Sequence, residues 1–175
     1  MNLYLKQKLF SLHDKFSVFD ANQTPVYSVE GKLVSLHSQH SIYNNAGEVV
    51  ANIHKKIISL MPKFFIERPI GQTHEMKGKL ALAHEVFVIE DLGWEVKGKF
   101  LQHDYTISKD DAVLASVHQK WLSWGDVYEI TVNEGVDEVM VLAVVLCCDI
   151  LHQEELSMST SGAAAGAAVA DAAGN

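Results

Sequence analysis

Residues 139–148 read VMVLAVVLCC, a run of ten apolar side chains, and two more apolar residues follow at 150–151. Asp137 and Glu138 stand just before the run, where acidic side chains favour the positive end of a helix dipole. The segment therefore predicts a helix over about 136–153. Because this helix is apolar all round, it must be enclosed on every side. A bilayer span needs about twenty such residues, so the pattern indicates a buried helix and no transmembrane segment.

The rest of the chain has to supply the enclosure, and an internal repeat indicates how. KLFSL at 8–12 recurs as KLVSL at 32–36 and as KIISL at 56–60, with a fainter copy, KWLSW, at 120–124. Short alternating segments and turns rich in Asn, Asp, Gly and Pro separate the copies, which is typical of β-hairpins. Since the repeating unit changes after residue 60, a closed meander fits better than an open solenoid.

The pattern predicts a mainly β fold, a closed twelve-stranded antiparallel barrel around the C-terminal helix. The strands are expected at 3–12, 15–20, 25–36, 40–44, 48–60, 63–68, 73–83, 86–91, 93–101, 104–109, 111–124 and 127–133. The helix residues expected in the barrel core are Met140, Leu142, Val144, Leu146 and Ile150. One domain is predicted over 1–156. Residues 157–175 are rich in Ala, Gly and Ser and lack Lys, Arg and aromatic residues, which predicts a disordered tail.

The charge balance limits the classes of partner. The 175 residues carry 14 Lys and Arg against 22 Asp and Glu, a formal net charge of -8, and the one arginine is Arg68. An acidic chain with a single guanidinium does not fit a nucleic-acid binder. Residues 1–80 are nevertheless net basic and residues 81–175 strongly acidic, so a basic face on an acidic protein is possible. Two adjacent cysteines and no apolar leader predict a cytoplasmic location.

Three motifs near the N-terminus resemble the LURP-one-related family: YLKQKLFSL at 4–12, DKF at 14–16 and PVYSVEGK at 25–32. That family belongs with the Tubby C-terminal-like and phospholipid scramblase-like proteins, and the resemblance covers about residues 2–155. It implies a twelve-stranded barrel wrapped round a central hydrophobic helix. It also implies possible contact with lipid, since relatives in the wider superfamily bind phosphoinositides or are linked to lipid movement. The family offers no catalytic motif.

A search for catalytic or metal-binding groups gives one candidate position. His13 and His37 occupy the same place in successive repeats, just after a long strand, so their rings would approach each other if the repeats lie side by side. Zinc needs three or four convergent ligands, and no pair with the spacing of a zinc site is present. Cys147 and Cys148 fit small core residues. We predict no metal, no cofactor and no enzyme activity; a rim pocket near His13 and His37 is the alternative.

The basic and aromatic segment KKIISLMPKFF at 55–65 suggests a binding surface. Lys55, Lys63 and Arg68 on one rim would meet anionic lipid headgroups, each adding about 1 kcal/mol. The alternative is a strand, a proline turn and a second strand with an aromatic side chain in the core, and strand alternation places Lys55 and Lys56 on opposite faces.

Because the helix fills the lumen, function is expected on the outer surface of a non-enzymatic binding or scaffold module. The expected partner is anionic membrane lipid, weakly bound, or an unknown protein. A tryptophan of the pair Trp121 and Trp124, which lie on opposite strand faces, would mark a protein-binding surface if exposed. The sequence predicts neither the oligomeric state nor the identity of the ligand.

Overall fold

The computed structural model describes residues 1–6, 15–34, 37–56, 62–81, 84–122 and 125–171. Within these ranges twelve strands pair antiparallel in chain order, and the first strand pairs with the last to close a barrel. The predicted fold class is confirmed. The strands are β1 Asn2–Lys6, β2 Lys15–Phe19, β3 Pro25–Val34, β4 His37–Asn44, β5 Val49–Lys56, β6 Lys63–Glu67, β7 Thr73–Ala81, β8 His84–Ile89, β9 Trp94–Lys99, β10 Asp104–Lys109, β11 Ala112–Leu122 and β12 Gly125–Val132.

Alternation of side chains along each strand separates the lumen from the outer wall. In β5, Ala51 and Ile53 are fully buried while their neighbours are partly exposed, and in β6 Phe64 and Ile66 repeat the pattern. A period of two is what a strand with one buried face requires. The polar residues between the buried ones therefore form the outer wall.

The seam between β1 and β12 closes the barrel. Leu3 pairs with Ile130 and Leu5 with Tyr128, so the two strands share one row of lumen-facing side chains. The Met1 ammonium group donates to the carbonyl oxygen of Val132 at 2.7 Å, which extends the seam by one residue.

One helix, α1 (Glu138–Asp171), begins directly after the link that follows β12. Its first half runs through the lumen and forms the core, and every lumen residue named from the sequence is buried: Met140, Leu142, Val144, Leu146 and Ile150. The prediction of its end was wrong. The helix continues past 153, so residues 157–171, expected as a disordered tail, are helical. Alanine has the highest helix propensity, and a helix already formed in the barrel extends into such a segment without a new nucleation step.

The barrel has two rims, which differ in what they hold. The N-rim, where α1 begins, carries the turns 20–24, 45–48, 68–72, 90–93 and 110–111 together with the link 133–137. At the C-rim, where α1 leaves the lumen, the other strand ends lie, and a short 3-10 helix, Phe100–Gln102, joins β9 to β10. Residues of α1 near position 150 therefore lie close to the C-rim.

Gly98 allows the close approach of β9 and β10 at the C-rim. Its φ is +142°, and a Cβ placed there would lie 2.6 Å from the carbonyl oxygen of Asp104 and 2.6 Å from the Cα of Tyr105. No L-residue fits such a position without moving the backbone. The missing side chain lets β10 bring Tyr105 into the lumen, where it is almost fully buried.

Candidate functional site

The structure places Lys55, the first of the three predicted lipid-binding residues, on the lumen side of β5. It follows Ala51 and Ile53 in the inward alternation, and its ammonium group is ion-paired with the carboxylate of Glu154 on α1. The same ammonium group lies 5.8 Å from the centre of the Phe64 ring. Lys55 therefore contacts the helix where it leaves the barrel and does not contribute to the outer surface.

The other two predicted residues lie at opposite ends of β6. Lys63 starts β6 at the C-rim, and its Nζ lies 3.2 Å from Oε1 of Glu75. Arg68 follows β6 at the N-rim, where its Nη2 lies 3.3 Å from Oδ2 of Asp137. The three cations thus occupy the lumen, the outer wall and the far rim, and the expected common patch is not formed. A five-residue strand separates its ends by roughly 16 Å.

A different set of lysines does come together on the outer wall. Lys56 pairs with Lys63 across β5 and β6, and Lys63 pairs with Lys77 across β6 and β7, so three lysines stand in a row across the strands. Lys79 and Lys97 lie in the next row towards the C-rim, on either side of Val86. With the residue at the end of β9 they form what we call the lysine face, towards the C-rim of β5–β9: Lys56, Lys63, Lys77, Lys79, Lys97 and Lys99.

Glutamates on the same wall partly neutralise the lysine face. Glu90 accepts from Lys77 at 2.8 Å and lies 3.5 Å from Lys79, and hydrogen bonding to Glu90 raises the pKa of Lys77. Glu95 pairs with Lys97. Like charges directly opposite each other on neighbouring strands destabilise a sheet. Six lysines thus stand against the three ion-paired glutamates Glu75, Glu90 and Glu95, and Asp104 lies opposite Lys99 in the strand register.

The start of α1 at the N-rim is held by charged and polar side chains, of which Arg68 leaves its buried Nη1 without a partner among the described residues. Oδ1 of Asp137 accepts from the backbone amides of Val139 at 3.0 Å and Met140 at 3.1 Å, and so caps the helix. Its Oδ2 forms an ion pair with the Arg68 guanidinium. The Tyr27 hydroxyl donates to Glu138, and burial, with this hydrogen bond, raises the pKa of Tyr27.

At the C-rim, α1 meets a cluster of titratable groups, of which Tyr128, Asp149 and His103 are buried and His152 is half-buried. The hydroxyl of Tyr128 donates to Oδ1 of Asp149 at 2.9 Å. The imidazole of His103 stacks on the Tyr128 ring with centroids 4.0 Å apart and meets the ring of His152 edge-on at 4.9 Å. We call Tyr128, Asp149, His103 and His152 the exit cluster. Burial raises the pKa of Asp149 to about 7 and lowers the pKa of His103 to about 4.

Three other titratable side chains of the lumen are held in their neutral forms. Burial lowers the pKa of His40 on β4 to about 4. Burial also raises the pKa of Cys147 and of Cys148, and both are free thiols. Thiols that keep their protons are poor nucleophiles, so these cysteines act as core side chains.

The remaining sequence candidates fall largely beyond the described residues. His13 and Trp124 lie outside them, and only the backbone of His37 and of Trp121 is described. The rim pocket expected near His13 and His37 therefore stays a prediction. Trp94 is packed in the core cluster.

The outer surface also carries a cleft of about 390 Å³ at the N-rim ends of β8–β10. Its lining includes Lys79, Trp94 and four acidic residues, Glu90, Glu95, Asp110 and Asp111. Across the described parts of the chain, no three His, Cys, Asp or Glu side chains are grouped to hold a metal ion. Among the helical residues described, none form a stretch long and apolar enough to cross a membrane.

A closed antiparallel barrel threaded by its own C-terminal helix defines a class of proteins, and comparison with known proteins agrees. An X-ray structure of a protein from Arabidopsis thaliana, AT5G01750, shares the fold with a TM-score of 0.64 and 16% identity, over 86% of this chain and 90% of that one. The uncharacterized protein YxjI of Bacillus subtilis is 30% identical over 156 residues, 89% of this chain and 96% of YxjI. The family described as LURP-one-related matches residues 1–149. The chain belongs to this family.

Sequence reasoning missed both the lysine face and the exit cluster. Part of the lysine face could have been predicted from strand alternation. Because Phe64, Ile66 and Met76 point into the lumen, Lys63 and Lys77 must point outward. The signal for the exit cluster was Asp149, one acidic residue inside an apolar helix segment, which marks a buried carboxyl group that needs a partner.

Proposed function

We propose that the protein is a non-enzymatic binding module whose lysine face meets anionic membrane lipid. The observation that carries this proposal is the register of Lys56, Lys63 and Lys77, three lysines opposite one another on adjacent strands. Such a row is unfavourable for the isolated sheet, and an anionic partner would relieve the repulsion. Of the predicted trio Lys55, Lys63 and Arg68, the proposal keeps Lys63.

The filled lumen supports a function on the outer wall. Residues 140–148 of α1 are buried against the strands, in the space where a barrel of another kind holds a ligand. The unpaired thiols Cys147 and Cys148 agree with the cytoplasm, and the cytoplasmic leaflet is the one that carries anionic lipid.

Charge arithmetic indicates a weak and salt-sensitive interaction. Each lysine near an anionic bilayer contributes about 1 kcal/mol, and the glutamates of the same wall reduce this value. Lys56 and Lys99 have no ion-pair partner among the described residues, so they are the most available of the six. At physiological ionic strength the attraction extends about 8 Å, so the wall must lie close to the surface.

Vesicle co-sedimentation of the full chain tests the proposal. We expect binding to vesicles of phosphatidylcholine with phosphatidylserine, no binding to phosphatidylcholine alone, and release at high salt. Replacing Lys56, Lys63 and Lys77 with Ser should remove the binding, whereas replacing Lys15, Lys109 and Lys120, on other strands, with Ser should leave most of it.

Two outcomes would overturn this proposal. No binding to anionic vesicles at low salt would exclude the lipid surface and favour a protein partner. Equal loss in both triple variants would show that net charge, and not the lysine face, carries the binding. Variants of Lys55 or Arg68 are unsuitable here, because both residues pair with groups that hold α1.

A further inference from the structure

Asp149 is the one acidic residue between positions 139 and 153 of α1, and it lies inside the core. Only 2% of the residue is exposed. A buried carboxylate without a cation is strongly unfavourable, so such a group either finds a partner or keeps its proton. The partners present here decide between these two states.

The hydrogen bonds of Asp149 are incomplete. Oδ1 accepts from Tyr128, but Oδ2 has no hydrogen-bond partner among the described residues. His152 lies three residues further on, hence on the same side of the helix, and its buried Nδ1 is also without a partner in the described part of the chain. One turn of α1 therefore carries an unused carboxyl oxygen and an unused ring nitrogen.

The cluster connects α1 to two parts of the barrel. Tyr128 belongs to β12, and His103 follows the 3-10 helix at the C-rim, with a left-handed backbone at φ 48°. His103 touches both the Tyr128 ring and the His152 ring. A change at Asp149 therefore acts on the contacts that hold the exit end of α1.

We propose that the exit cluster is a buried proton-binding site. It makes the packing of α1 against the barrel at the C-rim depend on pH near neutrality. With its proton, Asp149 is a neutral acid that accepts from Tyr128 through Oδ1 and carries one O–H donor on Oδ2. Without it, the lumen contains a negative charge that has a single hydrogen bond. Loss of the proton therefore weakens the packing of α1 against the barrel at the C-rim.

Four of the surrounding titratable groups, Tyr128, Tyr105, His103 and Cys148, supply no compensating charge. Burial raises the pKa of Tyr128, and of Tyr105 on β10, so both phenols stay neutral. Burial lowers the pKa of His103 to about 4, so this imidazole is neutral near pH 7. Cys148 keeps its thiol proton. On β5, Lys55 is ion-paired with Glu154 further along α1.

Equilibrium unfolding of the full chain at a series of pH values tests the site, with Asp149→Asn as the variant. Asparagine keeps the shape and the acceptor for Tyr128 and does not titrate. We expect the unfolding constant of the wild type, relative to the variant, to rise about tenfold per pH unit above pH 5 and to level off above about pH 7. Asp110→Asn, in an exposed turn with a positive φ that Asn adopts readily, is the control and should follow the wild type.

Amide exchange measured at one pH above neutrality locates the effect. Residues 149–155 should exchange faster in the wild type than in Asp149→Asn, while residues 139–145 should differ less. If Asp149→Asn does not fold, carboxyl carbon NMR of the wild type replaces the comparison, and Asp149 should titrate near pH 7. A ratio of wild-type to Asp149→Asn unfolding constants that does not change between pH 5 and pH 7, or an Asp149 carboxyl that titrates below about pH 5, would overturn the proposal.

Discussion

The two ends of the lumen segment of α1 are held in different ways. At the N-rim, Asp137 uses both carboxylate oxygens, one on the helix amides and one on Arg68, close to water. At the C-rim, Asp149 and His152 each leave one buried polar atom without a partner among the described residues. The N-rim end is fixed by charged groups at the favourable pole of the helix dipole, although Nη1 of Arg68 is also buried without a partner among the described residues. At the C-rim end, the ion pair of Glu154 with Lys55 lies near a buried carboxyl group, Asp149, that has no ion-pair partner among the described residues.

The largest effect is expected between the two ends, where α1 is anchored by packing alone. Leu142→Ala removes a fully buried side chain and should lower the free energy of unfolding by about 3 to 5 kcal/mol. Chemical denaturation measures this change. Val113→Ala, at a half-exposed position on β11, is the control and should stay within about 0.5 kcal/mol of the wild type. A small loss in Leu142→Ala would mean that the helix is not tightly packed.

Acid should weaken the barrel through the lumen histidines. Burial in the folded protein lowers the pKa of His40 and of His103 to about 4. Below about pH 6.5 the unfolded chain therefore binds protons that the folded chain does not bind. The free energy of unfolding should therefore fall between about pH 6.5 and pH 4, by about 1.4 kcal/mol per pH unit for each histidine. The contribution of Asp149 has the opposite sign over much of this range, since its pKa is raised.

Thermal unfolding between pH 4 and pH 7 checks this prediction with His103→Asn, which suits the left-handed backbone, and His40→Leu. In each variant, the unfolding temperature should decrease less between pH 7 and pH 4 than it does in the wild type. If neither changes its slope, the histidines are accessible to protons in the folded state.

Glycine substitutions compare the two rims directly. Gly98→Ala at the C-rim forces a Cβ onto backbone atoms of β10 and should cost about 2 to 4 kcal/mol. Gly71→Ala at the N-rim also has a positive φ but meets no atom within 4 Å, so about 1 kcal/mol is expected. Urea unfolding of the two variants side by side measures the difference. Equal losses would show that only backbone conformation matters at Gly98.

The smallest effect is expected at the helix cap. Asp137→Ala removes the acceptor of two amides and the partner of Arg68, and should cost about 1 kcal/mol. Asp137→Asn keeps the cap and loses the ion pair, so it should cost clearly less, because exposed ion pairs contribute little. Thermal denaturation of both variants separates the two roles, and an Asn variant as unstable as the Ala variant would assign the effect to the Arg68 pair.

The sequence predicts most of this fold because its two periodicities are clear. Alternation places Ile53, Phe64 and Ile66 inside, and the uniformly apolar run of α1 has no alternative to enclosure. The end of α1 was predicted wrongly because side-chain packing was expected to decide it, whereas alanine propensity extends the backbone helix to Asp171.

The site was less predictable because it depends on contacts between distant parts of the chain. Lys55 and Lys56 are adjacent and chemically identical, and only the strand register decides which of them faces Glu154, some hundred residues later. The row formed by Lys56, Lys63 and Lys77 depends on the register across two hairpins. Register follows from turn geometry, which the sequence around 57–62 does not specify.

The seam between β1 and β12 has a consequence for synthesis of the protein. Asn2 on β1 pairs with Thr131 on β12. One edge of β1, the first strand of the barrel to be synthesised, therefore stays unpaired until β12 has been made. Until α1 follows, the inward faces of β2–β11 have nothing to pack against. Closure of the barrel therefore comes late and depends on contacts between residues far apart in sequence. Such contacts form slowly, and apolar surfaces stay exposed until they form. A ribosome stalled before position 138 should hold a nascent chain that chaperones bind and proteases cut.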